Sequence, residues 1–230
     1  MSGASDLVRA VLFDLDGTLA ETAHITAAAL TWACDQTGVA GGPPTAEFHA
    51  LSGLPLEEIV GRLGLPEAVA ELYRKAAGAR VAEARLFPGA LTLLSVLRAR
   101  GVRVGVITGK DRPRTLATLD HLKIADLVEA LVTPADPPAP KPSPEGVWWL
   151  CRHFGVPTES ALLVGDSEAD MAAGRAAGIR TVACGWGVGR SEALARHRPW
   201  RALTRFGELT VLLDGLTTPP TRLDGGAPRT

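Results

Sequence analysis

The 230-residue chain has only three cysteines, Cys34, Cys151 and Cys184. They are odd in number and widely spaced, which excludes a disulfide framework and a paired zinc or redox site. Small buried thiols in a reducing compartment are the expectation. An excess of either charge is also missing, because 24 Lys and Arg are set against 25 Asp and Glu. Nothing in that balance calls for a polyanionic partner. The most basic stretch, 190–205, holds five arginines and His197, but Glu192, Leu194 and Trp200 interrupt it. It reads as a solvated helix-and-loop face rather than a nucleic-acid site. The histidines, His24, His49, His121, His153 and His197, are scattered and form no ligand cluster. No apolar run is long enough to cross a bilayer, and Asp14 and Asp16 break the first apolar stretch, 11–19, so no signal peptide is visible. The expectation is a cytoplasmic protein, monomer or homodimer, that binds neither nucleic acid nor membrane.

What the chain does contain is an alternation of short β-rich runs with helical patterns, the signature of a parallel sheet with crossover helices. Strands are predicted at 8–15, 102–108, 128–133, 161–165 and 181–184, with an edge strand at 202–204. Helices are predicted at 89–100, 112–122, 143–154 and 167–177. Gly101, Gly155 and Gly178 stand where three of these should stop. The interval between the first two strands is too long for one crossover. It carries helical patterns at 23–37, 56–63 and 66–83, broken by Gly41-Gly42-Pro43-Pro44 and Ser52-Gly53-Leu54-Pro55. The fold class is therefore α/β: a Rossmannoid parallel sheet core (1–20 and 86–216) with an inserted all-helical cap (21–85). The Pro-, Gly- and Thr-rich tail 217–230 is expected to be disordered.

In an open α/β sheet, ligands bind beyond the carboxyl ends of the strands. Asp14 and Asp16 close the first strand, Thr108 closes the second, Lys141 lies in the loop after the third, and Asp166 and Asp170 follow the fourth. These clusters are remote in sequence yet share one rim, and their chemistry suits phosphoryl transfer. That reaction needs a nucleophile, a proton carrier and positive charge on the phosphoryl oxygens. Asp14 can form an aspartyl-phosphate. Asp16 can protonate the leaving alkoxide and then take a proton from water. Crowded carboxylates need a hard cation, and Mg²⁺ suits oxygen ligands that leave room for waters and a phosphate. Asp14 and Asp166 are its expected side-chain ligands, with the Asp16 backbone carbonyl as a third. Asp170, four residues beyond Asp166, either binds the metal or orients its waters. Thr108 and Lys141 would hold the phosphoryl oxygens.

Each residue also has a plainer reading. Asp16-Gly17 alone would be a turn, Thr108 a helix N-cap, Lys141 a solvated charge, and Asp170 a balance for its helix dipole. Their coincidence at one rim favours the chemical reading. Two other glycine-rich strings fail by spacing: 105–111 is one residue short of a P-loop, and 185–189 is no dinucleotide fingerprint but a flexible rim loop.

Phe13-Asp14-Leu15-Asp16-Gly17-Thr18-Leu19 resembles the first motif of the haloacid dehalogenase superfamily phosphatases almost letter for letter. Val106-Ile107-Thr108-Gly109-Lys110 resembles the second, and Lys141-Pro142-Ser143-Pro144-Glu145 the third. Val164-Gly165-Asp166-Ser167-Glu168-Ala169-Asp170 resembles the fourth. The resemblance implies a helical cap of the phosphoglycolate phosphatase-like branch, Mg²⁺, and a small phosphorylated metabolite as substrate. Gly109 departs from the pattern, since many relatives place Asn there, and its backbone N–H is then the expected contact to the phosphate. The run 108–115 is also similar to phosphatases of 3-amino-5-hydroxybenzoate (ansamycin) biosynthesis.

Within the cap, Glu21, Thr22, His24 and Thr26 follow the catalytic loop closely enough to face the substrate. The turn 52–55 is a second candidate, and Arg62 and Arg80 are candidates for binding an anionic leaving group. Hinges are expected near 19–21 and 86–88. Dehalogenation and phosphonate cleavage are disfavoured because those branches lack an acid/base Asp at the position of Asp16. A sugar phosphomutase is ranked lower because its cap histidine would fall at Thr26. A phospho-accepting signalling receiver or a catalytically silent binding protein are the alternatives from other classes.

Overall fold

The computed structural model describes residues 7–217. Its centre is β1 (Ala10–Phe13), four apolar residues buried on both faces, as a strand inside a parallel sheet requires. From β1 the chain builds outward in one direction through β4 (Arg103–Ile107) and β5 (Ala130–Val132). It then returns to the other side of β1 for β6 (Ala161–Gly165), β7 (Arg180–Cys184) and β8 (Arg201–Leu203). The resulting six-stranded order is β5-β4-β1-β6-β7-β8, parallel at every pairing. Because the winding reverses at β1, the crevice at its carboxyl end is the topological switch point, where such sheets bind ligands.

The two-residue side-chain period sorts the strands onto two cores. Val11 and Phe13 join Val104, Val106, Leu162 and Val164 on one face, covered by α5 (Ala90–Ala99) and α10 (Phe206–Leu216). Ala10, Leu12 and Leu163 face the opposite way against α7 (Glu145–Phe154) and α8 (Glu168–Ala177). The left-handed residues Gly155 and Gly178 terminate α7 and α8, and Gly101 follows α5 in the same conformation.

Between β1 and β4 a two-stranded antiparallel ribbon, β2 (Ala20–Glu21) with β3 (Arg85–Leu86), marks where the chain departs and returns. The stretch between them holds α1 (Ala23–Thr37), α2 (Thr45–Ala50), α3 (Leu56–Arg62) and α4 (Ala68–Ala79). These helices bury a core of their own around Leu30, Phe48, Ile59, Val69 and Tyr73. The ribbon is a departure from an all-helical reading of 21–85, since Glu21 and Arg85 are themselves paired strand residues.

α9 (Ser191–Arg196) lies in the stretch read as a helix-and-loop face, but two other helices were not anticipated. α2 is short and follows Gly41-Gly42-Pro43-Pro44, so turn chemistry masks it. α10 contains Gly207 and Gly215, yet Phe206, Leu209 and Leu213 repeat at helical spacing and lock it to the sheet. The tail expectation needs one correction: Thr217 is buried, and its hydroxyl donates to the Leu213 carbonyl while accepting from Arg100. The remainder, 218–230, lies outside the described residues. No helix among the described residues is long and apolar enough to cross a membrane.

Candidate active site

Asp14 is the first residue beyond β1, and its N–H still bonds the Val164 carbonyl at 2.9 Å, so the sheet itself fixes the backbone beneath the carboxylate. The loop then turns sharply through Gly17, with φ +80°. Glycine is required there twice over, because a Cβ would also collide with the Asp166 carboxylate. That carboxylate, reached at the end of β6, accepts from Val188 N–H at 2.8 Å and from Thr18 Oγ1 at 3.3 Å. The glycine-rich run 185–189 is therefore a packed cradle around Asp166 rather than a flexible rim loop. Side chains at Gly187 or Gly189 would run into Asp166, and Trp186 donates to the Thr18 carbonyl at 3.1 Å.

Asp170 sits in the first turn of α8 and forms a reciprocal cap with Ser167. One of its oxygens takes the Ser167 N–H at 3.0 Å and hydroxyl at 2.5 Å. Its other oxygen accepts from Lys141 Nζ at 2.6 Å, and the same ammonium lies 2.8 Å from Asp14 Oδ1. Helix capping and charge pairing are thus both roles of one carboxylate. Lys141 is only 1% exposed, so it is not the solvated charge its Pro-rich loop would suggest.

Asp14, Asp166 and Asp170 are all buried, and one oxygen from each lies within 4.8 Å of the others. Burial raises the Asp14 carboxyl well above the usual range, Lys141 opposes that, and Asp170 and Asp166 add to it. Asp166 is pushed up to about 7 by burial and then by Asp170, against the Val188 N–H, Lys141 and Thr18. Burial alone would lower the Lys141 pKa, but Asp14 and Asp170 outweigh it and raise it. Three carboxylates around one ammonium remain short of positive charge, and an all-oxygen donor set of this kind fits a hard divalent cation.

Asp16 points elsewhere. Its Oδ1 accepts from Thr22 Oγ1 at 2.7 Å and Lys110 Nζ at 2.8 Å. Burial would raise its pKa, but Lys110, Thr22 and Arg114 together lower it. Thr108 is buried at the end of β4, and its Oγ1 accepts the Lys110 N–H at 3.2 Å. The cap of the following helix α6 (Arg112–His121) is Asp111 rather than Thr108.

Asp14, Asp16, Thr108, Gly109, Thr22 and Thr26 line one cavity of about 90 Å³. Ser52, Gly53 and Leu54 of the anticipated turn also face it, beside an apolar wall that includes Phe48, Leu56 and Tyr73. Four cap candidates do not line it. Glu21 is exposed in β2, His24 bonds the Glu83 carbonyl at 3.2 Å, and Arg62 pairs with Glu58 at 2.6 Å on the outer side of α3. Helical spacing (i, i+4) gave Arg62 a nearer partner than any substrate. Arg80 is likewise taken by Glu83 at 2.8 Å.

Sequence reasoning missed Lys110 and Arg114, both of which line the cavity. Lys110 was legible as the second residue after Thr108, and Arg114 as the third after a capping Asp.

Comparison with known proteins places this geometry among relatives. The model for the haloacid dehalogenase-like hydrolases matches residues 11–184. A phosphoglycolate phosphatase of Rhodospirillum rubrum is 32% identical, with 92% of each chain covered. The pyrophosphatase PpaX of Bacillus pumilus is 29% identical over 90% of this chain and 96% of its own. Among solved structures, CbbY from Rhodobacter sphaeroides in complex with phosphate superposes with a TM-score of 0.76 at 25% identity, covering 88% of this chain and 96% of its own.

Proposed function

Because the chain belongs to the haloacid dehalogenase-like hydrolase family, we propose that it is a Mg²⁺-dependent phosphatase acting on a small phosphorylated metabolite. A sugar phosphate or a phosphoglycolate-like compound is the substrate class. The observation that carries this reading is the placement of Asp14 and Asp16 on one cavity wall with Thr108 and Gly109, while Lys141 holds Asp14 from behind.

Asp14 Oδ2, the oxygen not engaged by Lys141, attacks phosphorus as the bond to the leaving oxygen breaks. Asp16, protonated in the substrate-bound state and made a stronger acid by Lys110 and Arg114, gives that oxygen a proton. Water then attacks the aspartyl-phosphate and passes a proton to the Asp16 carboxylate. The bond from phosphorus to Asp14 breaks, releasing phosphate and restoring both side chains. Lys110 and Thr22 keep Asp16 oriented between the two halves. Thr108 and the Gly109 N–H hold the phosphoryl oxygens, and Lys141 limits the repulsion around them. Asp14, Asp166 and Asp170, with the Asp16 carbonyl, would hold the magnesium. When bound, the ion supplies positive charge to the phosphoryl oxygens and offsets the crowded carboxylates.

Residues 21–85 form a cap over the core of 1–20 and 86–216 in this reading, hinged at the ribbon of β2 and β3. Its closure excludes water and sets selectivity. Thr26 stands where a mutase would need a histidine and accepts from Tyr73 OH at 3.2 Å, which favours hydrolysis over transfer back to a sugar. The test is phosphate release from sugar phosphates, phosphoglycolate and p-nitrophenyl phosphate, with Mg²⁺ or with EDTA, beside Asp14→Asn. Release that requires the metal and Asp14 is the expected result. Release that persists in Asp14→Asn would refute the mechanism.

A further inference from the structure

The cavity lining contains two cationic side chains, Lys110 and Arg114, both from the core. Lys110 is committed, since its ammonium bonds Asp16 at 2.8 Å and lies 3.4 Å from Thr118 Oγ1. Arg114 is held differently. Its Nε donates to Asp111 Oδ2 at 2.6 Å, and its guanidinium carbon stands 5.3 Å over the centre of the Tyr73 ring. The side chain is 11% exposed. Neither terminal nitrogen has a hydrogen-bond partner among the described residues, although each carries two N–H donors. A nearly buried guanidinium with its stem fixed and its fork unsatisfied is preorganised for a planar anion entering the cavity.

We propose that Arg114 is a specificity-determining residue that receives a carboxylate on the leaving group, so that the preferred substrates are small phosphorylated carboxylic acids. This rests on the phosphatase reading above and deepens it. The 2.6 Å bond to Asp111 already offsets part of the Arg114 charge, which leaves a better match for a planar, singly charged carboxylate than for a doubly charged second phosphate. The helices between β2 and β3 add no cation to the cavity lining: Arg62 and Arg80 are paired with Glu58 and Glu83, and Arg74 with Glu57 and, at 3.6 Å, Asp111. The apolar wall at Phe48 and Leu56 offers little to a highly hydroxylated group.

The experiment is calorimetric binding with the Asp14→Asn protein and Mg²⁺, using phosphoglycolate, ethyl phosphate and ethylene glycol bisphosphate as probes. Phosphoglycolate and ethyl phosphate share a phosphate and a two-carbon leaving part, and differ in the carboxylate. Phosphoglycolate should bind about 10- to 100-fold more tightly, as expected of hydrogen bonds to a charged group. Adding Arg114→Met should remove that advantage, and Arg114→Lys should restore part of it. Melting curves for both variants check that the fold persists. The proposal is overturned if phosphoglycolate has no advantage, if the advantage survives Arg114→Met, or if the bisphosphate binds best. Failure of the phosphatase reading would appear separately, as absence of Mg²⁺-dependent hydrolysis of any probe by the unmodified enzyme.

Discussion

Lys141 Nζ lies 2.8 Å from Asp14 Oδ1, between two side chains that are 1% and 5% exposed, so the proposed nucleophile carries its own buried counter-ion. The ammonium serves Asp170 as well, at 2.6 Å. Removing one partner of a buried ion pair leaves an uncompensated charge, at a cost of about 3–5 kcal/mol. Lys141→Met should therefore lower stability by about that amount in EDTA, and added Mg²⁺ should recover part of it. Thermal melts with and without the metal check this. An unchanged melting temperature in EDTA would contradict the pairing.

Asp16 is held by Thr22 and Lys110 outside the carboxylate cluster, which suits a proton carrier rather than a side-chain metal ligand. Asp16→Asn should slow turnover by about 10²- to 10⁴-fold, the range for loss of a general acid–base group. The affinity for Mg²⁺ should change little. Steady-state rates and a metal titration separate the two effects.

Gly109 leaves no room for a side chain. A Cβ there would lie 2.5 Å from the Leu54 carbonyl oxygen and 2.7 Å from that of Gly53. Gly109→Ala should push the 52–55 turn outward and reduce kcat/KM by about tenfold or more, as small misplacements near reacting groups do. Because the turn can lift away, the melting temperature should fall only slightly. A large fall with normal kinetics would point to packing instead.

Asp136 follows β5 and gathers Arg112 Nη2 at 2.7 Å, Thr133 N–H at 2.6 Å and Thr133 Oγ1 at 2.8 Å. Burial would raise its pKa, but Arg112 and the two Thr133 donors prevail and lower it. A group whose pKa is depressed by folding contributes stability that is present above its unfolded value and lost as pH falls through the folded value. Asp136→Asn should cost about 1–3 kcal/mol near neutral pH, and the gap to the parent protein should shrink as the pH drops below the carboxylate range. Denaturant melts at several pH values test the sign.

The strands β1, β4, β5, β6 and β7, the gathering of Asp14, Lys141, Asp166 and Asp170 at the strand ends, and the stops at Gly155 and Gly178 were all legible in the chain. They depend on period-2 apolar runs, on residue type at strand ends, and on the conformational freedom of glycine, all of which are local properties. What the chain could not reveal was which polar groups would find each other. Arg62 and Arg114 are both arginines in helical segments, yet one spends its charge on Glu58 at the surface and the other turns an unsatisfied fork into the cavity. The 185–189 run had no intrinsic sign of being rigid, and only contact with Asp166 makes it a cradle. Likewise α10 appears once Phe206, Leu209 and Leu213 have a sheet to cover. Sequence determined the fold class and which acidic and basic groups stand at the strand ends, because backbone preference and side-chain chemistry act over a few residues. Tertiary structure alone decided partnership, because hydrogen bonds and ion pairs between distant residues depend on distances that exist only after folding.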